Sequence, residues 1–446
     1  MPTLLCGCKE NHSKIKGSFD PFLFLGVFMK KLMTVLLTLI LIIPVSFVHG
    51  EDLQLHSQFA YAYDGTSGQV LYDKAGNEKM FPASMTKVMT VYTALEKIKN
   101  LDEKVTVVNS DVDQWWAKGA SIANLEVGMT PTYRDLLYGA LYPSGADACY
   151  ILATRTYGSE EAFIKGMNDN AKKLGMNNTH FTNVVGLHDE NHYSTCHDMA
   201  LGLAAAYKLP AFKEVFNGRR YHATVNLWYF SVLTKIENKY HVSAPLILGA
   251  KSGYTNQAQH CLASAMALGD HDVFIVTGHA QSNGTGGVAV QDANTISQYL
   301  NNTKKVVTPV HQGDVVKKVS VCNAKLTSKT LIAKEDVSVV VDKSIADKDV
   351  KVSWDGPDSI SAPYAKNKVI GKQIISANGQ KLKEITYKND KDIKIAIKST
   401  VEEHRIPIIV LAFIMALILM IHHRNKKIRR RKARRKRQRQ KQAKRS

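Results

Sequence analysis

The sequence has few cysteines and lacks the short motifs that mark metal sites. Only six cysteines occur in 446 residues, and neither a Cys-x-x-Cys pair nor a His-Glu-x-x-His segment is present. The four cysteines beyond the N-terminal region are widely scattered: Cys149, Cys196, Cys261 and Cys322. Structural zinc sites and disulfide frameworks require closer spacing. We therefore expect buried thiols, with one disulfide bond as the alternative, and no metal or organic cofactor.

One histidine-rich segment keeps a metal hydrolase in consideration. Histidines and acids occur together between positions 188 and 198, as His188, Asp189, Glu190, His192, His197 and Asp198. The first two histidines are four residues apart, but their surroundings are rich in Gly, Asp and Asn, which is typical of a loop. A spacing of four places two ligands on one face only in a helix. The pattern therefore favours surface or capping histidines over metal ligands.

Acidic residues are absent from the C-terminal end, so the basic residues there account for most of the net charge of +20. The segment from Arg424 to Ser446 contains 15 lysines or arginines and no acid. The body of the chain is balanced, with 38 basic and 37 acidic residues between positions 51 and 404. A nearly neutral body offers no electrostatic surface for DNA or RNA. We therefore expect no nucleic-acid partner.

An apolar run near the start of the chain predicts export. Residues from Met29 to Gly50 combine two lysines, a long apolar stretch and a plausible cleavage site after Gly50, which is typical of a secretory signal. This arrangement points to Met29 as the start of translation. Residues 1–50 are then an N-terminal extension and signal peptide that the mature protein lacks.

A second apolar run predicts a membrane anchor. Residues 406–421 are sixteen uncharged and mostly apolar residues, which span about 24 Å as a helix. The basic flank that follows favours a transmembrane helix over a buried soluble helix. By the same rule residues 422–446 form a cytoplasmic polybasic tail, which can also meet anionic lipid. Residues 51–404 then lie outside the cell membrane.

The exported part divides into two regions of different periodicity. Between residues 51 and 303, alternating apolar and polar residues occur at both ends, and helical spacing occurs between them. This order predicts an α/β (α+β) domain, in which strands from distant parts of the chain form one sheet beneath a cluster of helices. Residues 304–398 contain short alternating segments separated by polar turns, which predict a small all-β domain.

Three motifs in the first region carry hydroxyl and amine groups suited to nucleophilic catalysis. They are Ser84-Met-Thr-Lys87, Tyr-Pro-Ser144-Gly and Lys251-Ser252-Gly253. The first lies at the start of a helix predicted from Met85 to Ile98, where residues three apart share one face. The second is predicted to be a loop before a helix, and the third to begin a strand. A Ser-x-x-Lys pair alone occurs by chance in many chains, but the ordered set is specific.

With these motifs the sequence resembles the low-molecular-mass penicillin-binding proteins, specifically the serine-type D-alanyl-D-alanine carboxypeptidases. The segments GQVLYDKAGNEKMFPASMTKVMT and GLHDENHYSTCHDMA are similar to those of the family, and the resemblance covers nearly all of residues 55–421. It implies a penicillin-recognising, β-lactamase-like catalytic domain, followed by a small β domain and a C-terminal transmembrane helix. It also implies peptidoglycan stem peptides as substrates and β-lactam antibiotics as covalent inhibitors.

The resemblance implies three catalytic residues. Ser84 is expected to attack the carbonyl carbon between the two terminal D-alanines and to become acylated. Lys87 is expected to act as the general base, and Ser144 to relay a proton to the departing D-alanine amine. Water is expected to hydrolyse the acyl-enzyme.

The resemblance also implies a substrate-binding strand. Lys251 is expected to supply positive potential and Ser252 to hold the terminal carboxylate, while Gly253 lets the substrate backbone lie close. The backbone N–H groups of Ser84 and Tyr254 are expected to form the oxyanion hole.

Two positions depart from the family pattern. Ala146 stands where the family's Ser-x-Asn motif has asparagine, and His197 stands where it has arginine. Ala146 supports the alternative of a catalytically impaired peptidoglycan-binding protein. A β-lactamase is less favoured, because no Glu-x-x-Leu-Asn segment occurs between Ser144 and Lys251 to speed deacylation.

Overall fold

The computed structural model describes residues 53–115, 117–282, 287–396 and 405–443. The predicted signal segment, with its start at Met29 and its cleavage site after Gly50, lies outside the described residues.

The described residues between 57 and 303 contain seven strands and nine helices. The strands are β1 (Ser57–Asp64), β2 (Val70–Lys74), β3 (Arg220–His222), β4 (Trp228–Phe230), β5 (Ile247–Thr255), β6 (Gln259–Leu268) and β7 (His271–Ala280). The helices are α1 (Thr86–Leu95), α2 (Asn109–Val112), α3 (Tyr133–Leu141), α4 (Ala146–Tyr157), α5 (Glu160–Lys173), α6 (Cys196–Tyr207), α7 (Pro210–Asn217), α8 (Val232–Tyr240) and α9 (Val288–Thr303). A 3-10 turn, Ala83–Met85, precedes α1.

Five of the strands form one antiparallel sheet in the order β2-β1-β7-β6-β5, so the two ends of this region meet in its centre. Alternate side chains of each strand enter different cores. Tyr61, Phe274 and Val276 pack against α1, α6 and the other central helices, while Val273 and Ile275 pack against α9. The sheet is therefore buried on both faces, and β5 is an edge strand.

The strand and helix pattern agrees with the sequence prediction over most of residues 57–303, and the differences lie at the end of α1, at α2 and between residues 210 and 246. Helix α1 ends at Leu95 rather than at the predicted Ile98. Helices α2, α7 and α8 were not predicted from the sequence, nor was the short hairpin of β3 and β4 between α7 and α8. The hairpin has strands of three residues each, which is too short for an alternating pattern to stand out.

The second region is the predicted β domain. Its strands are β8 (Lys304–Val310), β9 (Val315–Cys322), β10 (Ser328–Ile332), β11 (Val337–Asp342), β12 (Val350–Asp355), β13 (Ser359–Ser361), β14 (Val369–Ala377) and β15 (Gln380–Lys388). It contacts the first region through β11. The Nε2 atom of His271 lies 2.5 Å from Ser338 Oγ, and the Gln69 side chain exchanges two hydrogen bonds with the Val340 backbone.

Helix α10 (Arg405–Ala443) follows the β domain. A helix over 406–421 followed by a separate basic tail is predicted from the sequence, whereas α10 is a single helix that extends through most of that tail. The apolar part is long enough to cross a membrane, and its side chains are exposed, so it could be a membrane anchor. The described cysteines contain no disulfide bond, and Cys149, Cys196 and Cys261 are buried.

Candidate active site

Ser84 and Lys87 face each other at the start of α1. Ser84 lies in the 3-10 turn before the helix, which begins at Thr86 rather than at the predicted Met85, and Lys87 lies in the first helical turn. The Nζ atom of Lys87 donates a hydrogen bond of 2.9 Å to Ser84 Oγ. The pair therefore has the contact that transfer of the serine proton to the lysine amine requires.

The serine turn is held by a glycine that faces it. Ala83 has a φ of 45°, an uncommon conformation for a residue with a side chain. Gly186 also has a positive φ, 83°, and a Cβ atom there would lie 1.8 Å from the Ala83 carbonyl oxygen. No other residue fits at position 186 without moving the turn that carries Ser84.

Lys87 is buried, and this sets its proton affinity. Its side chain is 2% exposed, and burial lowers the pKa of its ammonium from 10.5 to about 8. The second hydrogen bond of Nζ, 2.7 Å long, goes to the Val185 carbonyl oxygen. That carbonyl belongs to a turn in which the Asn183 side chain accepts bonds from the N–H groups of Val185, Gly186 and Leu187.

Ser144 lies in the loop before α4, as predicted. It has a φ of 64°, and its Oγ atom is buried without a hydrogen-bond partner among the described residues. A buried hydroxyl without a partner lowers the stability of the folded protein unless a ligand or water forms a hydrogen bond with it. Ser144 is therefore available to a bound substrate.

The position of the missing asparagine is filled by a small buried residue. Ala146 is the first residue of α4 and is fully buried. The adjacent Asp147 does not replace the absent amide, because its carboxylate accepts hydrogen bonds from the N–H groups of Ala123, Leu125 and Ala148. Asp147 therefore anchors the loop around residue 123.

Lys251, Ser252 and Gly253 lie in the second half of β5, not at its beginning as the sequence analysis expected. A Cβ atom on Gly253 would lie 2.8 Å from the Pro82 carbonyl oxygen and 3.0 Å from the Ser84 nitrogen. This close approach brings the edge strand against the serine turn. An extended peptide can add to the open edge of such a strand.

Lys251 is buried close to the charge of Lys87. Its Nζ atom donates a hydrogen bond of 2.6 Å to the Ser252 carbonyl oxygen. Burial, and then the repulsion from Lys87, hold the pKa of Lys251 well below its ordinary value. Ser252 is partly exposed, and the Tyr254 side chain is 54% exposed at the rim, where its ring packs on His260.

Two further residues near this site were not singled out from the sequence. Lys235 of α8 donates a hydrogen bond of 3.1 Å to the carbonyl oxygen of Tyr142, two residues before Ser144. Cys149 lies one turn after Ala146 on α4, and burial raises the pKa of its thiol to about 12, so it is neutral at physiological pH. The sequence held no signal for Lys235, because α8 itself was not predicted.

The histidine-rich segment has structural contacts. His192 is buried, with Nε2 2.8 Å from Thr86 Oγ1, and its Nδ1 accepts the N–H of Thr182. Burial lowers the pKa of His192 to about 4. His188 packs edge-on against Phe81, and His197 bonds Asp198. Within the described residues, no group of three metal-ligating side chains converges.

A family model described as D-alanyl-D-alanine carboxypeptidase matches residues 46–282 of this chain. The chain belongs to the D-alanyl-D-alanine carboxypeptidase family. A second model, for the C-terminal domain of penicillin-binding protein 5, matches residues 305–395. The family predicted from the three motifs is therefore confirmed.

The sequences of individual members of this carboxypeptidase family align with most of the chain. D-alanyl-D-alanine carboxypeptidase DacF of Bacillus subtilis is 29% identical over 384 residues, which are 82% of this chain and 96% of that protein. D-alanyl-D-alanine carboxypeptidase DacC of Escherichia coli is 29% identical over 358 residues, 78% of this chain and 87% of that protein.

Solved structures confirm the predicted fold. Penicillin-binding protein 5 from Haemophilus influenzae superposes with a TM-score of 0.66 at 23% identity, covering 77% of this chain and 98% of that chain. The Streptomyces K15 DD-transpeptidase superposes with a TM-score of 0.50 at 29% identity, covering 55% of this chain and 97% of that chain. The first comparison includes the β domain as well as the catalytic domain.

Proposed function

We propose that this family member is a serine-type carboxypeptidase, which removes the terminal D-alanine from peptidoglycan stem pentapeptides through an acyl-enzyme on Ser84. The observation that carries the proposal is the 2.9 Å hydrogen bond between Lys87 Nζ and Ser84 Oγ, in a buried setting that lowers the lysine pKa to about 8. Neutral Lys87 accepts the serine proton as the Oγ atom attacks the carbonyl carbon of the penultimate D-alanine.

Collapse of the tetrahedral intermediate releases D-alanine. The C–N bond breaks, and the proton taken by Lys87 reaches the departing amine through the hydroxyl of Ser144, which has no partner of its own among the described residues. The backbone N–H groups of Ser84 and Tyr254 stabilise the oxyanion. Water then attacks the ester carbonyl, and Ser84 is regenerated.

The substrate lies along the open edge of β5 in this proposal. The Ser252 hydroxyl holds the terminal carboxylate, and the charge of Lys251 attracts it. Gly253 keeps the strand close enough to the serine turn for the scissile carbonyl to reach Ser84, because a Cβ atom at this position would lie only 3.0 Å from the Ser84 nitrogen. A β-lactam enters by the same route and acylates Ser84.

The domain boundaries and the location follow from the same proposal. Residues 51–303 form the catalytic domain and 304–398 the β domain, with 406–421 crossing the cell membrane and the basic residues after 421 on its cytoplasmic side. The signal peptide directs the catalytic domain outside the cell. There it acts in peptidoglycan maturation, where removal of terminal D-alanine limits the supply of cross-link donors and so affects cell shape.

The test is release of D-alanine from a soluble stem pentapeptide by the full-length protein in detergent. We expect release by the unaltered protein, none by the Ser84→Ala variant, and covalent labelling by a fluorescent penicillin that requires Ser84. Labelling without release would support the impaired peptidoglycan-binding alternative. Rapid turnover of the penicillin would instead support the β-lactamase alternative.

A further inference from the structure

The hairpin of β3 and β4 presents an unusual exposed surface. Trp228 and Phe230 are 55% and 39% exposed, although large aromatic side chains are normally buried. They lie on one face of β4, with their rings nearly parallel and their centroids 6.4 Å apart. His222, directly across from Trp228, continues the row at 4.5 Å. Arg220 lies across from Phe230. We call these four residues the aromatic hairpin face.

The opposite face of the hairpin is firmly attached to the domain. Tyr221 stacks on Tyr138 with ring centroids 3.7 Å apart, and its hydroxyl donates a hydrogen bond to Asp135. Tyr229 is buried, and its hydroxyl donates to the carbonyl oxygen of Ala123. The exposed rings therefore belong to an element that is held in place by the contacts of its other face. The rings themselves are not needed to hold the hairpin on the domain.

The hairpin is hydrogen-bonded to two elements that carry candidate site residues. On one side, Tyr229 bonds Ala123, whose own N–H is held by Asp147 at the start of α4, directly after the Ser144 loop. On the other side, the Arg219 guanidinium donates a bond of 2.9 Å to the Ile247 carbonyl oxygen, at the start of β5. The hairpin that carries the aromatic face is thus hydrogen-bonded to segments next to Ser144 and Lys251.

The chemistry of this face fits a saccharide. Flat exposed aromatic rings pack against the apolar faces of pyranose rings, and two neighbouring rings offer two such contacts. Arg220 is exposed and adds hydrogen-bond donors for the oxygen atoms of such a saccharide. Two exposed rings are a small apolar area for membrane binding, which usually uses a longer amphipathic surface.

We propose that the aromatic hairpin face binds the glycan portion of peptidoglycan, so that the stem peptide is presented to Ser84 from a polymerised strand. This inference rests on the proposed function, since it names the carrier of the stem peptide. It assigns to Trp228 and Phe230 a role in substrate recognition that is separate from the reaction at Ser84.

The test compares the full-length protein with the double variant Trp228→Ala, Phe230→Ala. The matched control is Tyr240→Ala, which removes a comparably exposed ring, 40% exposed, from α8 outside the hairpin. Binding is measured to glycan strands freed of their stem peptides by an amidase, and separately to vesicles of anionic phospholipid. D-Alanine release is measured on a soluble pentapeptide and on polymerised peptidoglycan, and thermal unfolding is recorded for every variant.

We expect the double variant to bind glycan strands at least tenfold more weakly and to lose activity on the polymer by a similar factor, with unchanged release from the soluble pentapeptide. The control is expected to match the unaltered protein. Equal binding of glycan by the double variant and the unaltered protein would overturn the inference, as would loss of vesicle binding alone. Absence of release from the soluble pentapeptide would refute the proposed function, while the glycan measurement would still decide this inference.

Discussion

Acylation of Ser84 should depend on pH through the protonation of Lys87. A general base acts only when it is unprotonated, and burial lowers the pKa of Lys87 to about 8. With that value, about 1% of the lysine is neutral at pH 6, about 10% at pH 7 and about 90% at pH 9. An ordinary lysine with a pKa of 10.5 would be neutral in only ~0.03% of molecules at pH 7, so burial raises the reactive fraction roughly 300-fold.

The assay is stopped-flow labelling by a fluorescent penicillin between pH 5.5 and about 9.5. The second-order rate constant should rise about tenfold between pH 7 and pH 9, with a midpoint near 8. Lys87→Arg keeps the positive charge but cannot deprotonate, and should acylate ~10²- to 10⁴-fold more slowly. A flat profile, or a midpoint near 10 in a folded protein, would refute the reasoning that burial activates Lys87.

Three further outcomes follow from the same contacts. Lys87→Met should raise the free energy of unfolding, measured by urea denaturation, by roughly 2 kcal/mol at pH 6. The substitution removes the ~3 kcal/mol cost of burying the Lys87 ammonium, but the Val185 carbonyl oxygen loses its hydrogen bond. The cost arises because the lysine pKa is lower in the folded state, so the gain should fade as pH rises from 8 towards 10.5. Gly253→Ala should slow penicillin acylation at least ~10-fold, because its Cβ would lie 2.8 Å from the Pro82 carbonyl oxygen; an unchanged rate would contradict the close packing. Ser144→Ala should lower D-alanine release by ~10²- to 10⁴-fold while leaving thermal unfolding nearly unchanged, since its hydroxyl has no described partner to lose.

The sequence predicted those parts of the site that depend on local spacing. Lys87 lies three positions after Ser84, and one helical turn brings their side chains into contact wherever that helix packs. The loop position of Ser144 follows from its Pro-Ser-Gly surroundings. The alternating segments at both ends of the catalytic region likewise predicted a single sheet from distant strands, because such segments must bury their apolar faces together.

The remainder depends on contacts between distant segments, for which one sequence gives no signal. Gly186 is needed because the Ala83 carbonyl, about one hundred residues earlier, lies against it. Val185 accepts the hydrogen bond of Lys87 through its backbone, so no side-chain type could have revealed it. Lys251 lies inside β5 rather than at its predicted start. Residues 247–250 contain a glycine and an alanine, which weaken the alternating pattern at the true start of the strand.

The contacts of the two lysines explain how the site forms without the asparagine that the family motif has at position 146. An amide there would accept a hydrogen bond near the ammonium groups. In this chain both groups have a main-chain acceptor, since Lys87 donates to the Val185 carbonyl and Lys251 to the Ser252 carbonyl. These acceptors belong to the backbone, so they persist when position 146 is alanine. The small, buried Ala146 therefore removes a side chain from the site without leaving either lysine unpaired, which favours an active enzyme over the impaired alternative.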